Sequence, residues 1–130
     1  MLDGGLRKLF RAHIPGHWQS IETGGVGRGV PDSNYCINGV EGWVEYKKTK
    51  HWKIGSLKPE QVAWIFRRVR EGGRVWLAVR RAEDELWLID GHWIREVAVG
   101  GIKSAEEWVR WEGGPSKWNW DEVRYVLTRP

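Results

Sequence analysis

From Leu2 the apolar residues Leu2, Leu6, Leu9 and Phe10 recur at i, i+4, i+7 and i+8, the stripe of an amphipathic helix, with Arg7, Lys8 and Arg11 lying off it. Pro15-Gly16 ends that helix, and His17 to Thr23 reads as a first strand running into the glycine-rich segment Gly24 to Gly29. Tyr35 to Ile37 and Val40 to Tyr46 are two strand-like runs joined by Asn38-Gly39, a pair suited to the positive φ angles of a type I′ hairpin turn. Ser56 is placed to cap a helix from about Lys58 to Glu71, with Val62, Ile65, Phe66 and Val69 on its buried face and Gly72-Gly73 as its stop. Val75 to Val79 is a continuous apolar run, as expected of a strand covered on both faces, and Leu86 to Ile89 pairs with it across a charged loop. Beyond Gly91 the pattern weakens. Ser104 with Glu107 forms a capping box that predicts a short helix at Trp108 and Val109, and Asn119 with Glu122 predicts a last helical turn reaching about Val126.

The order α-β-β-β-α-β-β predicts an α/β domain with a central mixed sheet flanked by helices. A chain of 130 residues fits one such domain. Residues 1–91 are read as its core and 92–130 as a short tryptophan-rich extension packed on that core or on a second subunit. Of the 11 tryptophans, five lie in the extension, and for Trp108, Trp111, Trp118 and Trp120 docking is favoured over base stacking. No apolar run approaches the roughly 20 residues needed to span a bilayer, and the start of the chain lacks the pattern of a secretory signal. The expected location is the cytoplasm, of the organism or, for a phage-encoded protein, of its host. Cys36 is the only cysteine, which excludes an internal disulfide framework and a multi-cysteine zinc site. His13, His17, His51 and His92 show no metal-ligand spacing, and only His51, beside a lysine-rich loop, is placed to meet a substrate. A formal charge of +4 leans towards a polyanionic partner.

Chemistry concentrates at the two ends of the predicted hairpin. Pro31-Asp32 opens it and Glu45-Tyr46-Lys47 closes it, so antiparallel pairing brings Asp32 near Glu45. Alternation along a strand sends Glu45 and Lys47 to one face and Tyr46 to the other. Hard divalent cations prefer oxygen ligands, which Asp32, Glu45 and the Tyr46 carbonyl can supply, and phosphodiester cleavage uses such a cation to activate water and stabilise developing charge. Lys47 is placed either to stabilise negative charge or to orient or deprotonate water. The glycine segment is not a Walker loop, since no Gly-Lys-Ser/Thr follows it. Arg28 on that segment, Lys48, Lys50 and Lys53 near the hairpin's end, and the run Arg67, Arg68, Arg70 and Arg74 are candidates to track a phosphate backbone.

Gly29-Val30-Pro31-Asp32 followed by Glu45-Tyr46-Lys47 resembles the paired motifs of the PD-(D/E)xK nucleases, and the order of elements is similar to their restriction-endonuclease-like core. Within that superfamily the chain is most similar to virus-type replication-repair nucleases and archaeal-type Holliday junction resolvases. There a Gly-x-Pro-Asp hairpin precedes Glu-x-Lys and a glutamine-bearing helix, matched here by Leu57-Lys58-Pro59-Glu60-Gln61. The resemblance covers Leu6 to Ile89. It implies a Mg²⁺-dependent endonuclease acting on DNA, with Mn²⁺ able to substitute, Asp32, Glu45 and Lys47 as site residues, and Gln61 as a supporting contact to Lys47, the metal or water. The family often adds an acid from the first helix. Here that helix offers only Asp3, near its start, with Glu22 upstream of the glycine loop as the alternative metal ligand. A homodimer acting on branched DNA in repair is the first expectation, because a two-fold dimer presents two equivalent sites. A restriction-like or homing endonuclease, a non-catalytic DNA-binding module on the same fold, and an interaction protein built around the tryptophan-rich tail are the alternatives.

Overall fold

The computed structural model describes residues 2–22 and 28–130. Helix α1 (Leu6–His13) leads into strands β1 (His17–Ser20), β2 (Ser33–Ile37) and β3 (Val40–Thr49), and helix α2 (Pro59–Arg70) connects β3 to β4 (Val75–Arg81) and β5 (Glu85–Asp90). Helix α3 (Ile94–Gly100), strand β6 (Val109–Trp111) and helix α4 (Trp120–Thr128) follow. The strands form one six-stranded sheet in the order β1-β2-β3-β4-β5-β6. Only β3 and β4 run parallel, and every other neighbouring pair is antiparallel. A parallel pair needs a crossover connection rather than a hairpin, and α2 supplies it.

Local chemistry explains the elements that position the site. Asn38 and Gly39 both have positive φ, 49° and 80°, so the two-residue turn pairs Ile37 with Val40 and sets the register of the whole hairpin. In β4, Trp76 and Ala78 face one side while Val75, Leu77 and Val79 face the other, and all five are buried. A strand covered on both faces must be apolar throughout, which is why its pattern does not alternate. Helices α1 and α4 cover the first face, placing Leu6, Phe10, Val123 and Leu127 against Tyr35, Val44 and Tyr46. Helices α2 and α3 cover the second, through Ile65, Ile94 and Val97.

The C-terminal extension joins the sheet and both cores. Strand β6 pairs with β5, Leu88 opposite Val109, and becomes the sixth strand. Trp111 and Trp118 are buried beside α4, and the Tyr35 hydroxyl donates to the Leu127 carbonyl at 2.7 Å. Trp120 packs edge-on to Phe10, whereas Trp108 remains exposed. Its indole meets Trp87, which in turn meets Trp52 from the loop after β3. No helix of the described residues is long and apolar enough to cross a membrane.

Several elements differ from the sequence reading. Helix α1 begins at Leu6, because Gly4 and Gly5 take positive φ and the Asp3 carboxylate accepts from the Gly5 and Arg7 amides; Leu2 is left exposed. Strand β1 ends at Ser20. The glycine-rich segment and Thr23 lie outside the described residues, apart from Arg28 and Gly29. Lys58, not Ser56, occupies the N-cap position of α2. The short helix expected at Trp108 and Val109 is instead strand β6, since β5 presents an edge that a β-branched and aromatic segment can pair with. The weakly patterned stretch after Gly91 holds α3, whose buried stripe is only Ile94 and Val97.

Candidate active site

The hairpin pairing ends at Ser33 opposite Val44, so Asp32 and Glu45 are the next residues beyond it on the two chains, followed by Pro31 and Tyr46. Counting out from the two-residue turn, Pro31 and Tyr46 fall at a position where paired residues exchange both backbone hydrogen bonds. Proline has no N–H to give, so the Tyr46 carbonyl lacks the donor that the ladder would otherwise supply. The Tyr46 amide donates instead to Asp32 Oδ2 at 3.0 Å. Because N–H and C=O of one strand residue point to the same side, the Tyr46 carbonyl faces the Asp32 side too. The proline of the motif therefore has a physical role: it has no amide with which to extend the pairing beyond Ser33 and Val44.

Glu45 and Lys47 project from β3 on the face covered by α2, and both are buried, at 1% and 7% exposure. Lys47 Nζ lies 3.5 Å from Glu45 Oε2 and donates to the Ser56 carbonyl at 2.9 Å, so the loop after β3 holds the ammonium in place. Gln61, in the first turn of α2, donates from Nε2 to Glu45 Oε2 at 3.3 Å while its Oε1 accepts from the Lys58 amide at 2.9 Å. One side chain thus caps the helix and orients the carboxylate. Glu45 Oε1 is buried with no hydrogen-bond partner.

That arrangement is costly for a carboxylate. Burial first, and the nearby Asp32 carboxylate second, push the Glu45 pKa up from 4.5 to about 8, against the opposing pull of Lys47. A group left in this state at neutral pH is short of positive charge. The donor types are those a hard divalent cation takes: an orphaned carboxylate oxygen and a second carboxylate beside it.

Two further features flank the carboxylate pair. Gly29 has φ of 85°, and a Cβ there would stand 2.1 Å from the Glu60 carbonyl oxygen. Only glycine lets the segment leading to Pro31-Asp32 lie against the start of α2, where Gln61 sits. Arg7, from α1, places Nη2 3.6 Å from Asp32 Oδ1, and its Nε is buried without a partner. Each carboxylate of the pair therefore faces a basic side chain, Asp32 with Arg7 and Glu45 with Lys47.

Asp32, Glu45, Lys47, Gln61 and the Tyr46 backbone are brought together. Among the described residues no group of three His, Cys, Asp or Glu side chains forms, so neither Asp3 nor Glu22 adds a third such ligand. The Asp3 carboxylate is engaged by the Gly5 and Arg7 amides at the start of α1, and Glu22 is exposed just beyond β1. Arg28, Lys50, Lys53 and His51 are exposed on the segments that flank the site. Lys48 is exposed as well, but its Cβ lies 3.5 Å from where a Gly4 Cβ would stand, on the α1 side of the sheet. Arg67 is exposed towards the far end of α2. Sequence reasoning missed Arg7 as a partner of Asp32 and the Ser56 carbonyl as the anchor of Lys47. The only signal for Arg7 was its place off the apolar stripe of α1; backbone acceptors such as Ser56 leave no mark in residue type. No protein-family model matches the chain, and no curated protein matches it either.

Proposed function

We propose that this chain is a metal-dependent endonuclease of the PD-(D/E)xK type that hydrolyses DNA phosphodiester bonds, with branched or duplex DNA of replication and repair as its substrate class. The observation that carries the reading is the buried, unpartnered Glu45 oxygen beside a second carboxylate, flanked by a buried lysine. The run helix, three antiparallel strands, helix and parallel strand supports a restriction-endonuclease-like assignment of the sheet.

Asp32, Glu45 and the Tyr46 carbonyl would hold Mg²⁺, or Mn²⁺ in its place. The ion supplies charge neutralisation at the phosphate and makes water more acidic. Lys47 carries three N–H groups, one directed at Ser56 and one at Glu45; the third donates to a non-bridging phosphate oxygen, where negative charge grows as water attacks phosphorus and the P–O ester bond breaks. Gln61 keeps the Glu45 carboxylate from rotating away. Arg7 can exchange Asp32 for a phosphate oxygen once DNA arrives, a partner that its planar donor fork suits well.

Lys47→Met is expected to lower Mg²⁺-dependent cleavage by about 10²–10³-fold, the usual cost of removing a preorganised transition-state donor. DNA binding in EDTA should stay within a few-fold of the parent. Full cleavage by the variant would contradict the role given to Lys47. A non-catalytic DNA-binding module is the second reading, favoured by the ion pair of Arg7 with Asp32, which engages a carboxylate that a cation would need; it requires tight binding with no cutting under any divalent ion.

A further inference from the structure

A cleft lies away from the carboxylate pair, at the C-terminal end of α2. It has a volume of about 760 Å³ and is lined by Trp64, Arg67, Arg68, Arg70, Glu71 and the Gly72-Gly73 turn. Residues 67–74 contain four arginines and one glutamate, a formal +3, against +4 for the whole chain. This is one of two dense basic runs in the chain, the other being Lys47, Lys48, Lys50 and Lys53.

These arginines are not neutralised from within. Among the described residues, the ion pairs join Arg7 to Asp32, Lys47 to Glu45, Arg81 to Glu85 and Arg110 to Glu112, so Arg67, Arg68 and Arg70 have no carboxylate within 4 Å. Glu71, four residues after Arg67, is at the spacing for a helical ion pair and does not form one. The negative end of the helix dipole favours cations here, but its half charge offsets only a fraction of three guanidinium groups.

The cleft is also preorganised. The Arg68 guanidinium sits 4.6 Å from the Trp64 ring centroid and 5.4 Å from that of Trp43. The two indoles meet edge to face at 5.2 Å. A Cβ on Gly73 would stand 2.5 Å from Arg68 Cδ, so the turn closes on the arginine's stem only because it carries no side chain. An arginine fixed in this way loses little entropy on meeting an anion.

Its position relates it to the site. Trp43 precedes Glu45 by two residues on β3, so both project from the same face, about 7 Å apart along the strand. From Gln61 to Arg70, α2 extends about 13 Å, while successive phosphates of one B-DNA strand rise about 3.4 Å along the axis.

We infer that the Arg67, Arg68 and Arg70 cleft is a second phosphate-binding site, which holds the nucleic-acid backbone a few nucleotides from the bond cut between Asp32 and Glu45. The identity of the polymer as DNA rests on the proposed nuclease reading. The arginine cleft itself is a claim about phosphate chains and can be tested without cleavage.

The test is binding of labelled duplex and single-stranded oligonucleotides of unrelated sequences, in EDTA, across a series of NaCl concentrations, by the parent chain and by Arg67→Ala/Arg70→Ala. Both positions are exposed, and alanine preserves the helix. The variant is expected to bind every sequence about 10–100-fold more weakly at low salt. For duplex, the slope of log K against log salt should be shallower by about 1.8, since two phosphate contacts are lost at about 0.9 each. Equal affinity and slope for parent and variant would overturn the inference. So would pyrophosphate binding at micromolar concentration that is lost in the variant while DNA binding is not, because the cleft would then serve a small phosphoryl ligand. Mg²⁺-dependent cleavage is scored in parallel. Arginine-dependent binding with no cleavage would sink the nuclease reading and leave the cleft; cleavage with an unchanged salt slope would sink the cleft alone.

Discussion

Glu45→Gln is expected to abolish cleavage while making the metal-free protein more stable at alkaline pH. The two effects have one origin. Glu45 is buried, has one oxygen without a partner, and has its pKa pushed up to about 8 by burial and by Asp32. In the unfolded chain it ionises near 4.5. Its contribution to stability is therefore fully present below about pH 4.5 and is lost as pH rises through 8, because the unfolded state releases a proton that the folded state retains. Each pH unit in that window weakens folding by up to about 1.4 kcal/mol. Glutamine resembles the protonated acid and has no such dependence. In EDTA, urea denaturation of parent and variant should nearly coincide at pH 5, with the variant ahead by about 2–4 kcal/mol at pH 8.5. Added Mg²⁺ should stabilise the parent and not the variant, since a ligand that binds only the folded state raises its stability by mass action. Cleavage should fall by about 10³-fold or more, as Lewis-acid stabilisation is worth several kcal/mol and each 1.4 kcal/mol or so is tenfold in rate. A variant less stable than the parent at pH 8.5 would show that Glu45 is a structural ion-pair partner of Lys47 rather than half of a cation site.

Truncation before Gly113 should leave a chain that does not fold. The segment removed carries Trp118, Val123, Val126 and Leu127, each at most 4% exposed, and all pack on the α1 face of the sheet. At about 1.5–3 kcal/mol for each fully buried side chain, the loss rivals the whole stability of an ordinary domain, about 5–15 kcal/mol. It also exposes Phe10 and Tyr46 and deprives the Tyr35 hydroxyl of the Leu127 carbonyl. Because Tyr46 and Lys47 are consecutive on β3, damage to this face reaches the site. Circular dichroism should show no cooperative thermal transition for the truncated chain. A transition within a few degrees of the parent would contradict the integration of the extension into the core.

Particular residues show how far the chain could be read in advance. Asn38-Gly39 set the hairpin register as far as Ser33 opposite Val44, and one more step along each strand reaches Asp32 and Glu45, so their proximity follows from a turn and a count of residues. The uninterrupted run Val75 to Val79 marked a strand covered on both faces, and Gln61 was found on the first turn of its helix beside Glu45. Errors arose where local signals competed with tertiary ones. Ser104 and Glu107 have the spacing of a helix cap, yet the open edge of β5 draws Val109 and Trp111 into a strand. Helix α3 buries only two apolar side chains, too few to generate a periodic signal. Arg7 meets Asp32 across α1 and the hairpin, a contact between elements distant in sequence that no spacing rule encodes.

Metal-dependent cleavage at Asp32 and Glu45 is measured by incubating labelled single-stranded, duplex, flap and four-way-junction DNA with the parent chain and with Asp32→Asn, in Mg²⁺, Mn²⁺ or EDTA. The predicted result is cutting by the parent with either ion, none in EDTA, and loss of cutting with retained binding in the variant. Binding without cutting by the parent under both ions, or cutting that Asp32→Asn leaves intact, would contradict it.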